Sequence, residues 1–462
     1  MHFCRILLLI STVVLISVSF ATSVQTVRAQ TCDTDGGRAE LLGDMGGLRP
    51  FLSSHGISFG LSETDEALGN ATGGLRRGVE YDGITTMTLE LDTDKAFGWK
   101  GGDLFMSALQ IHGRNLGADN LDSLQAASNI EADRTTRLWE LWFQQMFWNG
   151  KGSVKIGRQD LSEEFLVSRC CSIFMNSAMG WPALPAADLY AGGPVYPLSS
   201  LGMRLALQSG RLSFQAGVFD DNPPGGPFDD DSQLRDGEAS GTRFNLTTGA
   251  LVIGELGYAV ELSPDRERSC KGGLQGLYKL GFWYDTGKFP QYDPAGLPEA
   301  GPANESTGFM HRGNFSLYGI ADQTVWRQSG GPRSAAVFTH VMGAPSDRNL
   351  VDWSLTTGVN VFAPFSGRDS DTFGLGYGFA HLIQEAADFD GDTAFFTGAE
   401  YPVRGFEHFI EITYQYQATP WLIVQPDFQY ILQPRAGISD PLHPSKEIGD
   451  ELIIGVRTVV KF

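Results

Sequence analysis

Apolar and polar residues alternate with a period of two along most of the chain, in segments of about ten residues closed by Gly, Asp, Asn or Pro. The clearest segment is 406–417. One parity reads Phe406, His408, Ile410, Ile412, Tyr414, Tyr416, and the other reads Glu407, Phe409, Glu411, Thr413, Gln415, Gln417. Successive strand side chains point to opposite faces, so this strand has one greasy face and one wet face. In 79–92, Val79, Tyr81, Met87, Leu89 and Leu91 oppose Glu80, Asp82, Thr86, Thr88, Glu90 and Asp92. In 138–147, Trp139, Leu141, Phe143 and Phe147 oppose Glu140 and Gln144, and in 422–430 an apolar parity opposes Gln425, Asp427 and Gln429. The final segment sets Leu452, Ile454, Val456, Val460 and Phe462 against Glu451, Arg457 and Lys461. About sixteen such strands can be counted, an even number within the range of outer-membrane barrels.

A soluble β-sandwich or lectin-like protein would also alternate. Two features favour a transmembrane barrel instead. Aromatics gather at the ends of the apolar faces (Tyr414, Tyr416, Trp421, Tyr430), as interfacial girdles do. The wet faces mix carboxylates, amides and a few cations, which suits a water-filled lumen. Strands in lipid must close on themselves, because no edge can stay unpaired there. The fold class expected is therefore all-β, a transmembrane antiparallel barrel. Beyond the first thirty residues no run reaches the roughly 18 apolar residues of a spanning helix.

The N-terminus reads as a targeting segment. Arg5 precedes an almost wholly apolar run from Ile6 to Ala21, and small residues then offer cleavage after Ala21 or Ala29. We expect a signal peptide over 1–29, an N-terminal segment over 30–55, and a barrel over 56–462.

Composition narrows the function. The chain of 462 residues carries 34 Lys+Arg against 54 Asp+Glu, a net charge of −20. This acidity argues against nucleic acid, whose phosphates require a basic surface. It also predicts a pore that favours cations over anions. Cys32, Cys170, Cys171 and Cys270 would remain after cleavage, too few for a disulfide scaffold. No CxxC or HExxH occurs, so neither a metal nor any other cofactor is expected. Gly56-Ile57-Ser58-Phe59-Gly60 matches G-x-S-x-G, but it runs into a strand where that motif needs a strand-to-helix elbow, so no enzyme is expected. The acidic runs Asp388-Phe389-Asp390-Gly391-Asp392 and Asp229-Asp230-Asp231 read as loops, either solvated or holding calcium. Connections alternate between short turns and long loops, and 159–199 is the longest of them. Loops of that length are usually functional.

Several short motifs, in order, resemble one family. These are Leu41-Leu42-Gly43-Asp44-Met45-Gly46-Gly47-Leu48-Arg49-Pro50 with His55-Gly56-Ile57, Gly73-Gly74-Leu75-Arg76-Arg77-Gly78, and Phe97-Gly98-Trp99-Lys100-Gly101-Gly102. Ile111-His112-Gly113-Arg114, Arg137-Leu138-Trp139-Glu140-Leu141-Trp142 and Ile156-Gly157-Arg158-Gln159 follow. Near the other end stand Thr419-Pro420-Trp421 and Gln425-Pro426-Asp427-Phe428-Gln429-Tyr430. Over about residues 41–462 the chain resembles the carbohydrate-selective porins of the OprB family. The resemblance implies a sixteen-stranded outer-membrane porin that passes glucose and other small sugars down their gradient. It also implies that the loop after Gln159 folds inward as a constriction. Two positions depart from the family pattern: Met45, where Trp is usual, and Cys170-Cys171 inside the inferred constriction loop.

A sugar channel needs hydrogen-bonding groups for hydroxyls and aromatic faces for ring C–H groups, with binding weak enough to release the sugar. Strand parity nominates Glu140, Trp142 and Gln144. The start of the long loop adds Arg158, Glu163, Glu164 and Arg169, and the wet parity elsewhere adds Glu407, Glu411, Gln425, Asp427, Gln429 and Arg457. Expected partners are small carbohydrates and outer-membrane lipid, with no nucleic acid. Porins of this size are commonly homotrimers, though no interface is legible in the chain. The competing function is an unselective or cation-preferring general diffusion porin on the same barrel, because fold alone does not choose between them.

Overall fold

The computed structural model describes residues 38–226, 239–260, 274–292 and 306–462. Leu48–Ser54 forms a short helix ahead of the barrel. Fifteen strands follow: β1 (Ile57–Thr72), β2 (Gly78–Asp92), β3 (Gly102–Gly113), β4 (Thr135–Phe147), β5 (Gly152–Gln159), β6 (Ser200–Ser209), β7 (Leu212–Phe219), β8 (Leu251–Val260), β9 (Gly276–Tyr292), β10 (Ser306–Arg327), β11 (Ser334–Gly343), β12 (Val351–Phe362), β13 (Thr372–Leu382), β14 (Phe406–Thr419) and β15 (Leu422–Leu432). A C-terminal strand, Glu451–Lys461, pairs with both β15 and β1 and closes a sixteen-strand antiparallel barrel. The expected fold class is the observed one.

Period-two patterning explains how the barrel sits in lipid. Residues such as Leu280, Leu317 and Ile454 point outward and are exposed, while neighbours of the other parity are buried inside. The buried hydrophobic clusters are built by inward-folded loops packed on the wall, with Leu161, Phe165, Phe174, Met175 and Met179 fully buried among strand residues. The connections 114–134, 160–199, 383–405 and 433–450 open at one end of the barrel, and the tight turns 148–151, 210–211 and 420–421 at the other. Short turns are periplasmic and long loops extracellular in such barrels.

One outward position expected from alternation is wrong. The β3–β4 register shifts where Ser107 and Ala108 face Glu140 and Leu138, leaving Trp139 as a bulge. A bulge adds one residue and reverses parity beyond it. Arg137 is consequently buried. Trp139 turns inward, its Nε1 donating to the Leu198 carbonyl at 3.2 Å and its ring meeting Tyr196 edge-on at 6.1 Å. The acidic run 388–392 is also corrected. It lies on the helix Gln384–Thr397, and Asp390 there accepts from the Arg404 Nε at 2.9 Å and Nη2 at 3.0 Å. An arginine thus binds the central carboxylate of the run. The Asp229-Asp230-Asp231 run lies outside the described residues.

Candidate functional site

The segment 160–199 leaves β5 and fills part of the lumen before β6 begins. Asp160 draws its two ends together: Oδ1 accepts the Ser162 N–H at 2.7 Å, and Oδ2 accepts the Tyr196 N–H at 3.0 Å. Burial, with the charges of Glu163 and Glu140 nearby, holds the Asp160 carboxyl well above the usual aspartate range.

The rest of the loop hangs on polar side chains of the wall. Glu255 accepts from Leu166 N at 3.2 Å, and Asp322 from Arg169 N at 2.9 Å. Asn360 donates to the Cys170 carbonyl at 2.6 Å, and Gln425 to that of Ile173 at 2.6 Å. Glu411 accepts the Met175 and Asn176 N–H groups at 2.6 and 3.1 Å. A second inward segment, from the β3–β4 connection, is pinned the same way. Glu407 accepts from Leu124 N and Gln125 N, both at 2.8 Å, and also from Arg435 N at 2.6 Å. A loop inside a barrel leaves backbone N–H groups away from water, and each needs an acceptor.

Glycines make the seat. Gly374 and Gly376 share the inward parity of β13, and a Cβ on either would meet Ile173 Cδ1 at 2.5 Å or Met179 Cε at 2.3 Å. This Gly-x-Gly spacing on the inward parity is the signal in the sequence for the seat. Asp322, Glu255 and Asn360 carry no such signal, since nothing along the chain marks which wet positions a loop will cover.

The expected site residues therefore divide. Glu407, Glu411, Gln425, Gln429 and Asp427 lie on the wet parity but are buried under loops. Gln429 Nε2 donates to Ala127 O at 2.7 Å and to Asp427 Oδ1 at 2.9 Å. Arg457 is buried as well, its guanidinium bound by Glu66 and Asn129. Glu140 accepts from Asp160 N at 3.2 Å. The polar atoms of these seven hold loops or one another. Arg158 is placed differently. It stands opposite Leu141 and Leu201, on the outward parity of Ile156. Its guanidinium is held by Ser199 Oγ at 2.6 Å and by the Arg243 carbonyl, and lies 5.9 Å from the Phe244 ring.

A different group meets at the start of the loop. Lys155 and Arg204, from β5 and β6, both bind Glu164, with Arg204 Nε at 2.9 Å. Arg204 also donates to Gln144 Oε1 at 2.8 Å. Lys155 Nζ sits 4.0 Å from the centre of the Trp142 ring, which stacks on Phe105 at 4.9 Å and 18°. Glu163 and Arg169 are the charged loop residues left exposed. Lys155, Arg204 and Phe105 were not among the expected residues, although their strand parity would have admitted them. Burial raises the Glu164 carboxyl, but Lys155 and Arg204 more than offset it, and the group sits below the usual glutamate range.

Cys170 and Cys171 are free and buried, with Cys171 Sγ 3.8 Å from His340 Nε2. Burial pushes the Cys170 thiol up to about 12 and Cys171 well above its ordinary value, so neither supplies a reactive thiolate. They pack the loop against the wall.

Comparison with known proteins gives the same architecture. Porin B of Pseudomonas aeruginosa is 27% identical over 444 residues, covering 91% of each chain. The putative porin QuiX of Acinetobacter baylyi is 23% identical over 449 residues, covering 92% of this chain and 93% of its own. The high-pH structure of Pseudomonas putida OprB superposes with a TM-score of 0.79 at 23% identity, over 93% of this chain and 99% of that one, a likeness of fold. The family described as "Carbohydrate-selective porin, OprB family" matches residues 76–462. That match begins between β1 and β2 and runs through the rest of the barrel to the last residue, and the chain accordingly belongs to the OprB family of carbohydrate-selective porins.

Proposed function

We propose that this porin passes small carbohydrates of the glucose type passively across the outer membrane, and that they are sorted where Glu163, Glu164, Lys155 and Trp142 meet. The observation that carries this reading is Lys155 Nζ placed 4.0 Å over the Trp142 ring beside an exposed Glu163. With Phe105 and Lys155 over the faces of Trp142, the ring edge meets sugar C–H groups while the Glu163 carboxylate replaces water around the hydroxyls. Weak binding of millimolar strength, about −4 kcal/mol, lets sugar enter and leave. The first 29 residues act as the export signal in this reading, and sequencing the outer-membrane form from its N-terminus should begin at Gln30.

The test is single-channel current in a planar bilayer, with glucose, maltose and a non-sugar solute of similar size added in turn. Saturable millimolar block by sugar alone is expected. Trp142→Ala should weaken that block about tenfold, a loss of roughly 1.4 kcal/mol. Block that follows solute size and ignores Trp142→Ala would instead make the pore an unselective one.

Acid should act through Glu164. A carboxyl whose folded pKa lies below its unfolded one stabilises the fold above the unfolded value, about 4.3, and loses that stabilisation as pH falls through the folded one. Sugar block should hold at pH 5 and weaken on further acidification. Glu164→Gln should abolish that acid step; an equal step in the variant would assign it to another group.

A further inference from the structure

On the outside of the barrel, three strands bring together residues that lipid should not face. Glu63 and Asp65 (β1) and His112 (β3) stand on the outward parity, and each offers one ligand atom within 4.8 Å of the others. Register places them within the apolar band. Leu61 pairs with Met87 on one side of the cluster, while Ala67 with Tyr81 and Gly69 with Val79 lie on the other. Val79, Tyr81 and Met87 are exposed on this face. Two carboxylates in such a band are costly unless something neutralises them.

We propose that Glu63, Asp65 and His112 form a site for one divalent cation of the zinc class on the lipid-facing wall of the porin. Three features support it independently of charge. His112 Nε2 lies 3.4 Å from Glu63 Oε1 and 3.7 Å from Asp65 Oδ1. These separations are long for direct hydrogen bonds, yet they match the edges of a tetrahedron whose bonds are about 2.0–2.2 Å. Gln110 Oε1 lies 3.1 Å from His112 Nδ1. A proton held there leaves the Nε2 lone pair facing the carboxylates and the Tyr81 hydroxyl 3.3 Å away, and an acceptor behind the ring is usual for a metal-ligating histidine. Gly83 pairs with both Asp65 and His112 and sits between them. A Cβ at Gly83 would meet His112 Nε2 at 2.5 Å and Asp65 Oδ1 at 2.9 Å, so the absent side chain leaves a notch between the ligand atoms.

The remaining polar neighbours suit the same purpose. Thr85 Oγ1 donates to Glu63 Oε2, and Tyr81 Oη donates to Asp65 Oδ1. They hold the carboxylates in place. Three protein ligands of N and O type leave one position for water, as in open zinc sites. No spacing rule along the chain marks this site, since its ligands come from strands paired only through β2.

The experiment is calorimetric titration of zinc chloride into the full-length porin in detergent after chelator treatment. One saturable site per chain is expected, absent in His112→Ala. Gly83→Ala keeps all three ligands but fills the notch, and Gln110→Leu removes the second-shell acceptor; each should weaken binding about 10- to 100-fold. Heat-modifiable gel migration checks that every variant remains a folded barrel. Wild-type protein that takes up no zinc, or a folded His112→Ala that binds as wild type does, would overturn the proposal.

Discussion

Glu411→Ala should loosen the constriction loop around Phe174 and Met179, raising single-channel conductance and weakening sugar block. The carboxylate is fully buried and accepts the N–H groups of Met175 and Asn176 at 2.6 and 3.1 Å. Both donors sit in the part of the loop whose Phe174 and Met179 fill the groove over Gly376. Removing the acceptor leaves two buried donors unpaired, at about 1–3 kcal/mol each, so the seated loop is destabilised by about 4 kcal/mol. Burial of Phe174, Met175 and Met179 is worth about 1.5–3 kcal/mol per side chain, so the loss loosens this part of the seat while the other wall contacts still hold the loop. The barrel itself should persist, because its strand pairing does not pass through Glu411's side chain. Current recordings, paired with heat-modifiable migration, test this directly. Unchanged conductance in a folded barrel would show that the remaining wall contacts hold the loop without Glu411.

The second large effect is expected at Arg204. Its guanidinium is buried and bound by Glu164, Gln144 and Ser153. Arg204→Met leaves the Glu164 carboxylate with Lys155 as its sole cationic partner among these contacts, and breaking a buried pair costs about 3–5 kcal/mol. Sugar affinity should fall with it, since the same pair positions Lys155 over Trp142. Adding Glu164→Gln should recover part of the stability, with a coupling of about 0.5–3 kcal/mol in the double-mutant cycle. Strict additivity would mean that the two groups do not act together, whatever their separation.

These effects show where reading by parity succeeds and where it stops. Glu407, Glu411, Gln425 and Gln429 were legible as wet-face residues, because a strand allows only two faces and lipid tolerates one kind of side chain. Their task was not legible. Polarity identifies what faces inward, but whether an inward carboxylate meets water, a sugar or a loop's N–H groups depends on what else enters the lumen. Arg158, nominated from the start of the loop, and Trp139, nominated by parity, are placed by more local features. Arg158 lies on the outward parity under the 239–250 segment, and Trp139 is a bulge that breaks the period.

By itself the sequence determined the barrel, its strand number and its sidedness in lipid, since these follow from a period of two, a length near ten residues and the demand that strands in lipid close. It also carried the family's ordered motifs. Only the tertiary structure decided which charges meet. Lys155, Glu164 and Arg204 converge from two strands and a loop, and Glu63, Asp65 and His112 from two strands that touch only through a third. Contacts of this kind depend on register and loop placement, which are set by cooperative packing across the whole barrel and leave no periodic trace along the chain.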